Sequence, residues 1–304
     1  MDLRSLRYFI RVVEFGSLTR AAANLHIAQP ALTRHIQRLE DEFGITLLER
    51  ASRGVTMTEA GDLLYRRGTE LLREADRLRD ELLDHSGQPA GRVVVGITAT
   101  ACAIFARPLL QRIRAQSPRI SVNISEGFSK VLGTWLANGD IDVAVVSDSD
   151  IAPGLRALRV VEEELLFLTP PGRATSAWIS TDELVATPLI LSDGIHKRVE
   201  TILSTPLTID MKLNSIELIR HLVQDGVGVS ILPYSAARHE IMSGAVQAFR
   251  IGEKGISRQL AVCTSETRRV STATRLVVDT LASISRELME EGYFTYKAHP
   301  SRAA

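Results

Sequence analysis

The sequence predicts an α/β protein preceded by a helical unit of a different kind: a winged helix-turn-helix, then one long helix, then a larger α/β domain. Three observations carry that reading. Three apolar-periodic segments fill residues 3–43, and the last two are separated by a very short connection. Residues 58–84 keep an apolar or small residue at alternating steps of four and three. From Arg92 onward, short β-rich runs alternate with segments of helix length. The chain has 304 residues, enough for two or three compact units, and 45% of them are apolar, which supplies a sizeable core.

Leu3, Leu6, Phe9, Ile10 and Val13 recur with helical period, and Gly16 ends that helix. Ser17 caps a short second helix with Leu18, Ala21, Ala22 and Leu25 on one face. His26, Ile27 and Ala28 form a tight connection. The third helix opens at Gln29-Pro30, where proline suits the first turn because its missing N–H would be unpaired anyway. Leu32, Ile36, Leu39 and Phe43 make its buried stripe, and Gly44 stops it. The opposite face carries Gln29, Thr33, Arg34, Gln37 and Arg38. Two short helices joined by a tight turn, the second basic at its outer N-terminal end, have the form of a helix-turn-helix. Residues 45–48 and 55–57 read as two strands around Ala51-Ser52-Arg53-Gly54. Such a wing would carry Arg50 and Arg53 to the backbone or minor groove of DNA, with plain solvation of both arginines as the alternative.

Net charge is zero, from 36 basic and 36 acidic side chains, but it is unevenly placed. Residues 1–39 hold six arginines against Asp2 and Glu14, a net +4. Residues 57–86 hold five arginines against eight acids, a net −3. No lysine precedes Lys130. An all-arginine basic face suits fork-like contacts to phosphate and guanine edges.

The run AAANLHIAQPALTRHIQRLEDEFGITLLERASRGVTMTEAG resembles the DNA-binding segment of LysR-type transcriptional regulators. The matching words are Ala21-Ala22, Gln29-Pro30-Ala31-Leu32, Thr33-Arg34, Leu39-Glu40, Gly44, Leu47-Leu48-Glu49-Arg50 and Thr58-Glu59-Ala60-Gly61. The family usually has serine where Thr33 stands and often glutamine where His35 stands. The resemblance implies that Gln29, Pro30, Ala31, Thr33, Arg34, Gln37, Arg38, Arg50 and Arg53 meet double-stranded promoter DNA. It also implies that the long helix from Thr58 pairs two subunits. Leu64, Gly68, Leu71, Ala75, Leu78 and Leu82 form its seam, of which Leu64, Leu71, Leu78 and Leu82 are the dimer contacts. Homodimers, tetramers built as pairs of dimers, and RNA polymerase as a candidate further partner follow from the same likeness. His85-Ser86-Gly87-Gln88-Pro89-Ala90-Gly91 is a hinge by composition. The expected division is residues 1–57, the linker helix 58–86, the hinge 87–91, and a C-terminal domain 92–304.

In that domain, strands are expected at 93–97, 120–125, 141–147, 165–169, 189–192, 208–213, 229–232 and 260–264. Helices are expected at 101–116, 129–138, 197–204, 216–224 and 272–289, and the tail beyond Gly292 reads as polar and loosely held. The alternation implies a parallel sheet with helices on both faces. The family likeness adds a two-lobed architecture similar to periplasmic binding proteins, with lobe I about 91–160 plus 266–292 and lobe II about 161–265.

Such domains bind small molecules where strand ends meet helix N-termini. Thr98, Thr100, Phe128, Ser129, His196 and Ser215 are the candidate effector contacts, with Lys130 and Lys197 nearby; each hydroxyl could equally be a plain helix cap. Converging helix N-termini suit a small acid or polar metabolite. No resident cofactor or metal is expected. Cys102 and Cys263 lie far apart in sequence, as two small core residues or, less simply, a redox pair. Ser192-Asp193 with His196 lacks a nucleophile elbow and a matched third group, so catalysis is not expected. The N-terminus has no signal-peptide character and no run reaches membrane-spanning length, which points to the cytoplasm. A solute-binding module without a DNA role is the alternative, and an enzyme with a DNA-binding appendage is a more distant third.

Overall fold

The computed structural model describes residues 1–51, 54–84, 89–148, 151–172 and 178–296. The chain divides into two compact units, Met1–His85 and Ser86–Ala304.

In the first unit, α1 (Leu3–Phe15) is capped by Asp2, whose carboxylate accepts from Ser5 N–H at 2.7 Å, and is closed by left-handed Gly16. Then come α2 (Leu18–Asn24), capped by Ser17, and α3 (Gln29–Phe43), closed by left-handed Gly44. Leu6, Phe9, Ala21, Leu32, Ile36 and Leu39 form the shared core. The wing is β1 (Leu48–Ala51) paired antiparallel with β2 (Gly54–Met57). The first wing strand therefore starts later than the expected 45–48. Backbone groups there serve other ends: Leu47 and Leu48 N–H donate to the Glu40 carboxylate, and Thr58 Oγ1 donates to Thr46 C=O. Gly54 lets β2 dock on α1. A Cβ there would stand 2.3 Å from the Gly16 carbonyl, which accepts from Val55 N–H. Thr58 then caps α4 (Glu59–Asp84) by accepting from Gly61 N–H.

Among the described residues, the second unit is built on one sheet of ten strands. It opens with β3 (Gly91–Ile97), α5 (Ala99–Gln116), β4 (Ile120–Glu126), α6 (Ser129–Asn138) and β5 (Val143–Ser147), the three strands parallel. The long β6 (Leu155–Thr169) follows. Beyond it lie β7 (Trp178–Ile179), α7 (Thr181–Ala186), β8 (Leu189–Leu191), α8 (Asp193–Leu203), β9 (Ile209–Lys212), α9 (Ile216–Gln224) and β10 (Val229–Pro233). The chain continues through α10 (Tyr234–Ser243), β11 (Gln247–Ile251), β12 (Ile256–Ser265) and α11 (Thr272–Glu290).

The sheet is mixed, which corrects the all-parallel expectation. The central pair β6 and β12 runs antiparallel, and each also pairs antiparallel with a neighbour, β10 or β5. Each half of the sheet is covered on both faces, giving two lobes. Lobe I packs Val95, Phe105, Leu109 and Val277 on one face and Leu132 and Leu136 on the other. Lobe II packs Phe167 and Leu189 on one face and Ile219 and Leu232 on the other. Leu260 to Cys263 lie in the lobe I cores, so the lobe boundary falls within β12 and not after it.

The tail also differs from expectation. Phe294 is buried in the lobe I core and Tyr296 OH donates to Ala248 C=O. Aromatic surface, not chain position, decides how far the terminus is held.

Candidate nucleic-acid interface and ligand cleft

The helix-turn-helix sorts its residues by face. Leu32, Ile36 and Leu39 of α3 are buried, whereas Phe43, expected in the same stripe, lies in the last turn and is exposed. Gln29, Pro30, Arg34, Gln37 and Arg38 are exposed, and Ala31 and Thr33 are half-buried. Gln29 Nε2 donates to Thr33 Oγ1 at 2.9 Å, so the two polar side chains at the start of the helix hold each other. His35 turns the other way and packs edge-on against Tyr8.

Several arginines of this unit are engaged elsewhere. Arg7 pairs with Asp76, Arg11 with Glu14, and Arg20 donates to Phe15 C=O. Arg34, Gln37 and Arg38 have no hydrogen-bond or ion-pair partner among the described residues. In the wing, Arg50 pairs through its backbone with Val55; Arg53 lies outside the described residues.

The predicted leucine seam divides. Leu64 packs against the unit's own core, with Tyr65 and Leu72. Gly68 meets α1 closely: a Cβ there would lie 2.5 Å from Leu6 Cδ1. Leu71, Leu78 and Leu82 are 47%, 58% and 65% exposed, a row of large apolar groups facing outward. Leu64 therefore belongs to the monomer's packing, because α1 occupies that part of the stripe. Of the hinge 87–91, residues 87 and 88 lie outside the described residues.

In the second unit, a cavity of about 990 Å³ opens between the lobes. Ala99 and Cys102 of α5 and Glu126 at the end of β4 line it from lobe I. Ser215 at the start of α9, Ser235 of α10 and Arg238 line it from lobe II. Strand ends and helix N-termini do meet there. A buried polar chain fixes the α10 wall: Arg258 Nε donates to Glu163 Oε1 at 2.8 Å, and Ser235 Oγ donates to Glu163 Oε2. Arg220 Nη1 donates to Glu240 at 2.8 Å and ties α9 to α10.

Of the six predicted contacts, only Ser215 lines this cavity; its Oγ also accepts from Leu218 N–H as the α9 cap. Thr98 stands at the start of α5, its Oγ1 buried with no partner among the described residues. Thr100 and Ser129 are buried, and Ser129 Oγ accepts from Ser147 N–H. Phe128 is exposed. His196 pairs with Glu200 at 3.0 Å along its own helix. Ser192 is the residue before α8 and Asp193 lies in its first turn. Lining residues such as Cys102, Arg238 and Tyr293 escape sequence reasoning because only tertiary packing brings them together.

Both cysteines are free thiols. Burial, aided by the Glu126 carboxylate, pushes Cys102 up to about 12, and burial pushes Cys263 up to about 11. Among the described residues, no group of His, Cys, Asp and Glu is arranged to hold a metal ion, and no helix is long and apolar enough to cross a membrane.

Residues 3–62 match the family described as bacterial regulatory helix-turn-helix protein, lysR family, and residues 86–285 match the LysR substrate binding domain. The nitrogen assimilation regulatory protein nac of Escherichia coli (strain K12) is 33% identical over 301 residues, covering 96% of this chain and 98% of that protein. Two solved structures share the fold. A full-length OxyR variant from Pseudomonas aeruginosa has a TM-score of 0.69 at 24% identity, covering 94% of this chain and 95% of that one. CbnR, a LysR family transcriptional regulator, has a TM-score of 0.68 at 21% identity, covering 94% and 99%.

Proposed function

The chain belongs to the LysR family of transcriptional regulators, and from that premise we propose how its two units divide the work. It is a DNA-binding regulator with an effector-binding domain. Thr33, Arg34 and Gln37 read base edges in the major groove, while Gln29, Pro30, Ala31 and Arg38 meet the adjoining backbone. Arg50 and Arg53 of the wing add contacts that carry no sequence information. The observation that carries this reading is the outward face of α3, where Arg34, Gln37 and Arg38 stand exposed and uncommitted opposite a buried leucine stripe.

Leu71, Leu78 and Leu82 pair α4 with the same helix of a second subunit, which sets two reading helices against two half-sites. Pairs of such dimers form the tetramer, and RNA polymerase is the protein that the bound assembly meets. A small molecule carrying a carboxylate seats in the interlobe cavity. Of the expected effector residues, Ser215 serves as a contact. The effector acts through differential affinity for two lobe arrangements, since only that difference shifts a regulator. The protein turns nothing over, keeps no cofactor and works in the cytoplasm.

Footprinting on the DNA beside its own gene, with and without small carboxylates, tests this reading. The expected result is a protected site whose extent or affinity changes with one such compound. Binding indifferent to sequence would overturn it.

A further inference from the structure

The charges around the interlobe cavity do not suit a simple acid. Arg220 is engaged with Glu240, so its charge is already met. Arg238 is different. Its guanidinium lies over the Tyr293 ring, 5.1 Å from the centroid, its Nε is buried without a partner, and no acid pairs with it among the described residues. The ring holds the guanidinium in the cavity wall without cancelling its charge, which an anion in the cavity can meet. Glu126 and Glu217 line the same cavity, both exposed. A ligand with only a carboxylate would gain Arg238 and be repelled by two acids. A ligand with only an amine would gain the acids and be repelled by Arg238. A molecule with both groups is attracted by all three.

We propose that the cavity binds a zwitterion of the amino-acid class, its carboxylate on Arg238 and its ammonium facing Glu126 and Glu217. This rests on reading the cleft as the effector site and names the class of ligand it takes. Ile216 and Met242, which also line the cavity, offer apolar surface to the ligand's side chain.

Calorimetry on the full chain tests it, using the common amino acids as probes. For each binder, the matching 2-oxo acid and the matching decarboxylated amine follow. At least one amino acid should bind, with both truncated forms weaker by about tenfold or more, the scale of one lost charged hydrogen bond. Arg238→Gln should weaken the amino acid by a similar factor. The paired change Glu126→Gln and Glu217→Gln, at exposed positions that leave folding alone, should erase the preference for the amino acid over its 2-oxo acid. No binding by any amino acid, or a 2-oxo acid binding equally well, would overturn the proposal. In the second case, a 2-oxo acid that also altered the footprint would leave the effector reading standing. If neither class altered the footprint, both would fall.

Discussion

A single arginine carries the sharpest claim at the residue scale. Arg34 projects from the face of α3 opposite Leu32 and Ile36 and has no internal duty. A bidentate arginine contact is worth ~1–3 kcal/mol of discrimination between bases. Arg34→Ala should therefore lose operator preference by that amount with an unchanged melting curve, as read by competition gel-shifts. Arg53→Ala should instead weaken binding to all sequences and flatten its salt dependence. The cysteines make a second residue-scale prediction. The thiolate is the reactive form, and both thiols are held far above neutral pH. Neither should be alkylated appreciably by iodoacetamide near neutral pH in the native protein; rapid labelling of Cys102 would reopen a redox role. A third concerns acid. Glu287 accepts both Nη groups of Arg112, at 2.7 Å each, and that pairing, with Ser283, lowers its carboxyl from 4.5 to about 2. The folded value lies below the unfolded one. The stabilisation is thus full above about pH 4.5 and is lost as pH falls towards 2. Glu287→Gln should remove that part of the acid dependence, seen by urea melts at successive pH values, and change nothing in it above that window.

Elements reveal what could be read in advance and what could not. The three N-terminal helices are legible because each has an apolar stripe at helical period and a cap or glycine at an end: Ser17, Gly16 and Gly44 all act as such. The outer face of α3 was legible for the same reason, as the complement of that stripe. The central pairing of β6 with β12 was not, since residues paired across it lie far apart in sequence and nothing local sets their direction. Helix α10 has no clean apolar stripe: it buries Ser235, Ala236 and Glu240 as well as Tyr234, so periodicity misses it. The ligand cleft was legible only as strand ends meeting helix starts; its charged lining comes from side chains, such as Arg238 and Tyr293, with no shared motif. Two predictions belong at this scale. Replacing Leu71 and Leu78 by glutamate should give monomers in sedimentation and cut DNA affinity by roughly 10²-fold or more through lost bivalency; unchanged assembly would mean the exposed stripe pairs nothing. Glu163 bridges β6, β12 and α10 through Arg258 and Ser235. Glu163→Ala leaves Arg258 buried without its partner and should cost ~3–5 kcal/mol in chemical denaturation.

At the scale of the whole molecule, DNA reading and ligand sensing reside in separate compact units, Met1–His85 and Ser86–Ala304. Changes in the cavity should therefore leave basal DNA binding intact while altering its response to the effector. Charge follows the same division of labour: the first 39 residues carry a net +4 in a chain that is neutral overall. In the proposed function, α3 reads a specific site as one of a symmetric pair. Footprinting of the full chain on the DNA flanking its own gene, beside Arg34→Ala, tests it most directly. The expected result is protection of two half-sites about one helical turn apart, or a multiple of that, for paired helix-turn-helix units, and loss of that pattern in the variant. Uniform protection without half-sites, or a pattern unchanged in a folded Arg34→Ala protein, would contradict it.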